Sequence, residues 1–176
     1  MTNDLSHDNH LNSHTDPYLE SLLEFIKMIA GMEPDFGAAK ALLRYGQTFE
    51  PAETTPAWFA RGVSNHCFDN ATHLLVARKA AGDNSVRYAE GYAMDAEVPV
   101  PMQHAWLVDA NDKVIDPTWR NTDDNLYFGI VFDTKFVLDL MQIKRTTGIL
   151  VDARGMRRHY GTAELLEAGM FRRTAV

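Results

Sequence analysis

The sequence predicts an α+β fold in which helices come first and an antiparallel sheet follows. Apolar residues in the first half of the chain recur three and four positions apart, which is typical of amphipathic helices. After residue 85, short alternating runs are separated by turn-forming residues, which indicates strands joined by tight connections. The chain has 176 residues, a length that suits one domain with its own core.

Composition and charge argue against several classes of protein. The hydrophobic fraction of 45% is ordinary for a globular domain, and the net charge of -7 argues against general nucleic-acid binding. No apolar run is long enough for a membrane span. A single cysteine forms no internal disulfide, and a reactive thiol is easiest to keep in a reducing compartment. We therefore expect a cytoplasmic protein with no membrane or nucleic-acid partner.

The two ends of the chain carry polar segments that need a separate interpretation. Residues 1–16 have almost nothing to bury and are predicted to be a disordered tail, which leaves 17–176 as the single domain. Three histidines in this tail lack fixed ligand geometry, so no metal site is predicted there. A basic group near the C-terminus predicts a solvated face or, alternatively, a dock for an acidic partner. These histidines are His7, His10 and His14, and the basic residues are Lys144, Arg145, Arg154, Arg157 and Arg158.

Helix signals dominate the first third of the domain. Asp16 as N-cap and Pro17 at the first helical position predict the start of a helix, and Gly31 predicts its end. Its apolar positions are Leu19, Leu22, Leu23, Ile26 and Ile29. A second helix is predicted from about Phe36 to Tyr45. The segment 47–62 contains two prolines and is predicted to be a long loop or a few short turns.

The central helix begins at the only cysteine of the chain, Cys67. It is predicted to run to about Ala81 and stop at Gly82, and Ser64, Asn65 and His66 are the candidates for its N-cap. A cysteine in the first turn lies at the positive end of the helix dipole, which favours the thiolate form.

The strands that follow place a histidine and a carboxylate close together. Residues 85–94 predict a strand with a possible bulge at Gly91. Residues 103–108 and 113–118 predict a hairpin, and a turn centred on Ala110 would put His104 directly opposite Asp116 on one face. A slip of one residue would separate them. A further strand is predicted at 127–132, then helices at 134–144 and 162–168.

A thiol at a helix start, a histidine on one strand and a carboxylate on the next suggest a nucleophile, its base and the base's orienter. Each residue also has a simpler reading: Cys67 as a core residue, His104 as a structural histidine and Asp116 as a turn stabiliser. Their mutual agreement favours the catalytic interpretation. His66 and His73 are poorer bases, because they lie on the same helix as the thiol and point elsewhere.

The motifs that carry these residues also resemble a known family. Cys67 before a helix, Gly91-Tyr92, His104-Ala105-Trp106 and Asp116-Pro117-Thr118 are similar to the core of the transglutaminase-like superfamily, over roughly 64–119. The resemblance implies a papain-like core, with the cysteine helix packed on a sheet that carries His and Asp. It implies Cys67 as nucleophile, His104 as base and Asp116 as orienter. The substrate would be a peptide or protein amide, and the chemistry needs no cofactor.

Several functional points stay open at this stage. The backbone N–H of Cys67 is the simplest oxyanion donor, and Gln47, Trp58 and Asn65 are candidates for a second donor. Four aromatic residues are core or cleft residues: Tyr92, Trp106, Trp119 and Tyr127. The first prediction is a cysteine hydrolase such as a peptidase, amidase or deamidase. The alternatives are a transglutaminase, an inactive transglutaminase-like binding module, and an interaction protein unrelated to catalysis.

Overall fold

The computed structural model describes residues 16–33, 36–144, 147–151 and 162–172. The predicted disordered tail lies outside these ranges except for Asp16, and so does the C-terminal basic group except for the backbone of Lys144. Within the described ranges, histidine, cysteine and carboxylate side chains form no cluster that could hold a metal ion. None of the helices in these ranges is both long and apolar enough to cross a membrane.

The described residues form an α+β structure with five helices and five strands. The helices are α1 (Pro17–Met32), α2 (Ala38–Tyr45), α3 (Cys67–Ala80), α4 (Thr134–Lys144) and α5 (Ala163–Glu167). The strands are β1 (Gln47–Phe49), β2 (Arg87–Met94), β3 (Met102–Val108), β4 (Val114–Ile115) and β5 (Leu126–Phe132). Every strand pairing is antiparallel, and the strand order is β1-β5-β2-β3-β4.

The sheet curls so that its two edge strands come together. The segment that follows β1 reaches β4, because Val114 donates its N–H to the carbonyl of Glu50 and accepts one from Ala52. The inner face then encloses an aromatic and aliphatic cluster: Phe49, Ala89, Ala93, Trp106, Val108, Val114, Tyr127 and Val131. Residues of the opposite face pack in a second core with the helices. The curled sheet therefore has a filled interior and a helical outer layer.

Two helix boundaries show how local signals act. Asp16 caps α1 by accepting the N–H of Tyr18, with Pro17 at the first position, as predicted. The prediction that Gly31 ends the helix was wrong, since α1 continues to Met32 and Glu33 is its C-cap. Gly31 does not adopt the positive φ of a glycine cap, whereas Gly82, after α3, does with φ +79°. The predicted stop of α3 at Gly82 is confirmed.

The predicted loop over 47–62 was wrong at its start, where β1 forms. Three residues are too few to show an alternating pattern, and their partner, β5, lies about 80 positions later in the chain. Non-local pairing of this kind leaves no signal in the local sequence. The other predictions agree with the structure to within two residues at each end for α2, α4, α5, β2, β3 and β5. The strand predicted at 113–118 is much shorter, since β4 contains only Val114–Ile115.

Gly91 does not form the predicted bulge. It pairs regularly with His104 on one side and with Gly129 on the other. A Cβ at Gly91 would meet the carbonyl oxygen of Phe128 and would lie 2.5 Å from the Cα of Gly129. The glycine is therefore required by a close approach of two strands next to His104.

Replacing Gly91 with Ala should reduce the free energy of unfolding by at least about 2 kcal/mol, because backbone atoms cannot move aside as a side chain can. Gly31→Ala is the matched control, since a Cβ there meets nothing within 4 Å. This helical position should gain about 0.5–1 kcal/mol from the same substitution. Urea unfolding of both variants measures the difference. Equal effects at the two positions would contradict the account of the sheet.

Candidate active site

Cys67 occupies the first position of α3, where the chain leaves an exposed loop and enters the core. Its side chain is buried, with 8% of the residue exposed. The first hydrogen bond of the helix runs from the N–H of Asn70 to the carbonyl of His66. The N–H groups of Cys67 and the next two residues precede it and have no partner within the helix. The thiol thus lies beside the positive end of the helix dipole.

The N-cap of α3 is His66, one of the three candidates, although its side chain makes no capping hydrogen bond. The imidazole is exposed and lies 3.4 Å from the carboxylate of Asp69 on the outside of the helix. Asn65 has a φ of 63°, a left-handed conformation that asparagine tolerates better than most residues. This turn brings the exposed loop abruptly into the helix at Cys67.

Asn70 joins the loop before Cys67 to the chain after Asp116. Its side-chain amide accepts the N–H of Val63 at 3.0 Å and donates to the carbonyl of the same residue at 2.7 Å. It also donates to the hydroxyl of Thr118 at 2.9 Å. The N–H of Gly62 donates to the carbonyl of Pro117 at 2.7 Å. These bonds fix the loop before Cys67 relative to the turn that carries Asp116, which gives Asn70 a structural role.

His104 lies on β3 with its side chain on the inner face of the sheet, and the residue is 2% exposed. Its Nε2 is 2.8 Å from Oδ2 of Asp116. Because Nε2 is committed to the carboxylate, Nδ1 is the ring nitrogen left for the thiol. An interaction with the Cys67 thiol also acts on the imidazole. The structure therefore brings Cys67, His104 and Asp116 together.

The hairpin reaches this arrangement through a register that differs from the predicted one. The observed pairs are Leu107 with Ile115 and Val108 with Val114, so the turn is centred one residue later than Ala110. His104 would pair with Thr118 in this register, and Asp116 is its diagonal neighbour. The prediction of a directly opposite pair was wrong. A shift of two positions in the pairing keeps both side chains on one face, and a diagonal pair remains within reach of long side chains.

Four donors converge on the carboxylate of Asp116. Oδ1 accepts the backbone N–H of Thr118 at 2.7 Å and that of Trp119 at 3.2 Å. Oδ2 accepts His104 and also the hydroxyl of Tyr127 at 2.9 Å. Burial raises the pKa of Asp116, but the bond to His104, its charge and the two backbone N–H groups outweigh burial and hold the pKa below its ordinary value. The group is a carboxylate at neutral pH.

The opposite shift applies to the imidazole. Burial alone would lower the pKa of His104, but its hydrogen bond to Asp116, its interaction with Cys67 and the charges of these groups raise the pKa from 6.5 to about 9. The imidazole is therefore an imidazolium at neutral pH, which is the form that stabilises a neighbouring thiolate.

Aromatic rings enclose the imidazole. Trp119 stacks on His104 with ring centroids 4.3 Å apart and planes 23° apart. Trp106 stacks nearly parallel on His104 with a centroid distance of 6.2 Å, and it is fully buried. Tyr92 belongs to the other face, where it contacts Phe25 edge to face. Of the four aromatic candidates, three therefore surround the histidine and Tyr92 does not.

The candidates for a second oxyanion donor are more widely placed. Gln47 lies on β1, which β5 and β2 separate from β3 in the sheet order, and it is exposed. The ring of Trp58 lies 4.6 Å from the guanidinium carbon of Arg78. That arginine lies eleven residues along α3 from the thiol, or about 16 Å along the helix axis. Asn65 is two residues from Cys67 at the mouth of the site. The role of Gln47 as second oxyanion donor stays a prediction, and Asn65 has a more suitable position for that role.

A cavity of about 560 Å³ opens beside these residues. Ser64 and Asn65 line it on the nucleophile's side, and Thr118 and Trp119 line it on the side of His104 and Asp116. The rest of its wall is mostly polar and acidic: Asp95, Ala96, Glu97, Arg120, Asn121, Asp123, Asp124 and Asn125. A second, more apolar cavity of about 320 Å³ shares Asp95, Ala96, Asp124 and Asn125 with it. Through these shared residues the two cavities form one groove, which lies beside the loop that precedes Cys67.

Sequence reasoning missed the bond from Tyr127 to Asp116. One signal for it lies in β2, where small residues alternate with large ones: Ala89, Gly91 and Ala93 on the inner face. Small residues on a central strand leave room for rings from its neighbours, and Trp106 from β3 indeed lies close to Gly129 of β5.

No protein-family model, curated protein or solved structure matches the chain. The resemblance to the transglutaminase-like superfamily therefore rests on the motifs alone.

Proposed function

We propose that the protein is a cysteine-dependent acyl-transfer enzyme that acts on amides through a thioester, with hydrolysis as its reaction. The observation that carries the proposal is the position of His104: its Nε2 is 2.8 Å from Oδ2 of Asp116, its other ring nitrogen is left for a second partner, and the Cys67 thiol interacts with the same ring. A core residue or a structural histidine needs no such arrangement. The start of α3 against a sheet that carries His and Asp supports a papain-like core as part of the same proposal.

The proposed reaction begins with the thiolate–imidazolium pair of Cys67 and His104. The sulfur attacks the carbonyl carbon of the amide, and the C=O double bond becomes an oxyanion. When the oxyanion collapses, the C–N bond breaks and His104 donates its Nδ1 proton to the leaving amine. Water then attacks the thioester and gives its proton to His104, and the carboxylic acid leaves as the thiolate re-forms. Asp116 keeps the imidazole in the required orientation throughout.

The groove supports this reading of the site. An oxyanion formed at Cys67 would lie near the N–H groups at the start of α3, which have no helical partner. The polar groove gives water access to a thioester, which favours hydrolysis over transfer to an amine. Four carboxylates and one guanidinium line the larger cavity. They favour a peptide or protein segment with basic rather than acidic residues near the scissile amide.

A transamidase remains the alternative, and the fate of the thioester distinguishes it. The proposed enzyme should hydrolyse members of a mixed peptide library that contains basic, neutral and acidic sequences. Cys67→Ser should abolish product formation, since the alcohol of serine is far harder to ionise than a thiol. Ser21→Ala is the control, because it removes an exposed hydroxyl of α1 that lines neither cavity and leaves the thiol.

Mass spectrometry of the products measures both reactions. Hydrolysis adds water across the amide bond, whereas a transamidase would attach an added primary amine such as cadaverine to the acyl group. Product formation that persists in Cys67→Ser would contradict the proposal. If the parent chain and Cys67→Ser both bind peptide and neither forms product, the result would favour the inactive binding module.

A further inference from the structure

The hydroxyl of Tyr127 is the one side-chain donor on Asp116, besides His104, among the described residues. It lies 2.9 Å from Oδ2, the same oxygen that accepts His104. The ring starts from β5, two strands away from β3, and crosses the small inner residues of β2 to reach the carboxylate. Tyr127 is fully buried. Burying a hydroxyl costs free energy unless it is hydrogen-bonded, and this one is placed across a neighbouring strand to reach Asp116. The hydrogen bond to Asp116 therefore suggests a function for Tyr127.

The direction of this hydrogen bond is fixed by the chemistry of its partner. A carboxylate only accepts, so the phenol donates. Burial, then the charge of Asp116 and the hydrogen bond to it, raise the pKa of Tyr127 well above its ordinary value, so the hydroxyl keeps its proton at all pH values of interest. Asn125 also interacts with the phenol. The amide of Asn125 is fixed in turn, since it accepts the N–H of Ala96 and donates to the carbonyl of Asn121.

We propose that Tyr127 is a positioning residue of the active site, whose hydroxyl fixes the carboxylate of Asp116 so that Oδ2 faces Nε2 of His104. This inference rests on the proposed function. The backbone N–H groups of Thr118 and Trp119 hold only Oδ1. Without the phenol, the sole remaining side-chain donor to Oδ2 would be the imidazole itself, which the carboxylate is meant to orient. Tyr127 therefore acts through Asp116 and His104, without contact with the reacting atoms.

The test compares Tyr127→Phe with Tyr45→Phe. The hydroxyl of Tyr45, on α2, donates to the carboxylate of Glu167 on α5, and neither residue lines the two cavities. Both variants remove one tyrosine–carboxylate hydrogen bond and leave the ring. Iodoacetamide alkylation of Cys67 at pH 7 should slow about tenfold in Tyr127→Phe, since a small misplacement of a catalytic group is costly. It should change less than twofold in Tyr45→Phe.

A double variant separates positioning from a general structural role. In the Asp116→Asn background, Tyr127→Phe should slow alkylation no further, because the carboxylate it positions is absent. The same tenfold loss in both backgrounds would overturn the inference, as would no loss from Tyr127→Phe in a parent chain whose thiol reacts fast.

A second readout is independent of the thiol. The proton of His104 between Nε2 and Asp116 should give a downfield proton NMR resonance in the parent chain and in Tyr45→Phe. It should broaden or vanish in Tyr127→Phe. If the parent thiol reacts slowly, the proposed function fails, but this resonance still decides the role of Tyr127: its persistence in Tyr127→Phe would overturn the inference.

Discussion

Asp116→Asn is expected to lower the turnover of the proposed enzyme by up to about 10⁴-fold while leaving the fold intact. The reason lies in the donors around the carboxylate. Two backbone N–H groups point at Oδ1, so the amide oxygen of an asparagine must take that place and its NH₂ group must take the place of Oδ2. That NH₂ group would donate to Nε2 of His104. The imidazole would then carry its proton on Nδ1, facing the thiol, and would be unable to accept the thiol's proton.

The same substitution should change the ionisation of His104 in a measurable direction. Burial lowers the pKa of this histidine, and the hydrogen bond to Asp116 is the strongest of the interactions that raise the pKa to about 9. With the charge removed, burial dominates, and the pKa should fall below about 9 toward or under the ordinary value of 6.5. Nitrogen-detected NMR of the imidazole measures both the pKa and the protonated nitrogen.

Asp112→Asn is the matched control for this experiment. It removes the same charge from the same hairpin, where Asp112 pairs with Arg87 at 2.7 Å rather than with His104. The pKa and tautomer of His104 should be those of the parent chain. A pKa of His104 that is equally high in Asp116→Asn would contradict the account, because another group would then have to stabilise the imidazolium.

Much of the secondary structure was predictable because its signals are local. The cap at Asp16, the helix from Cys67 to the left-handed Gly82, and the strands around His104 and Tyr127 each carry a pattern within a dozen residues. The site residues Cys67, His104 and Asp116 were predictable for a related reason. Each residue type suits one role in a catalytic triad. The three roles fit together only because the sequence also predicts a helix start at the cysteine and strands at the histidine and the aspartate.

Other features depend on partners far away in the chain. β1 exists because Gln47–Phe49 pairs with β5, and Gly91 is required by its approach to Gly129 rather than by a bulge. The register of the hairpin was two positions from the expected one, since the alternation of strand side chains fixes which face is buried but not which residues pair. The alternation of strand side chains therefore predicted that His104 and Asp116 share a face. Their diagonal contact depends on the register, which only the structure shows.

The contact of Tyr127 with Asp116 shows the same limit within the site. Its sequence neighbourhood is that of an ordinary core strand, and its partner Asp116 lies eleven residues earlier, at the start of the connection from β4 to β5. Only the sheet order places β5 next to β2, whose small inner residues let the ring through. A residue that acts through another residue has no motif of its own, which is why the sequence predicted the three residues of the candidate site and not Tyr127, which contacts one of them.

His104→Ala is expected to remove the reactivity of Cys67 at neutral pH. In the parent chain the imidazolium persists up to about pH 9, so its positive charge is present beside the thiol throughout the neutral range and is lost only as His104 releases its proton. Without the imidazole this charge is absent, and a thiol with no cationic neighbour reacts more slowly at neutral pH. His73→Ala is the matched control, since that histidine lies on the exposed side of α3.

The decisive measurement is the rate of Cys67 alkylation by iodoacetamide between pH 5 and pH 10, followed by intact mass in the parent chain, His104→Ala and His73→Ala. The chain holds one cysteine, so one added mass reports one site. The account predicts fast alkylation of the parent and of His73→Ala at pH 6, and at least a tenfold slower reaction of His104→Ala that recovers only above about pH 8. Identical profiles in the parent and His104→Ala would contradict it, because Cys67 would then be a packed thiol with no base.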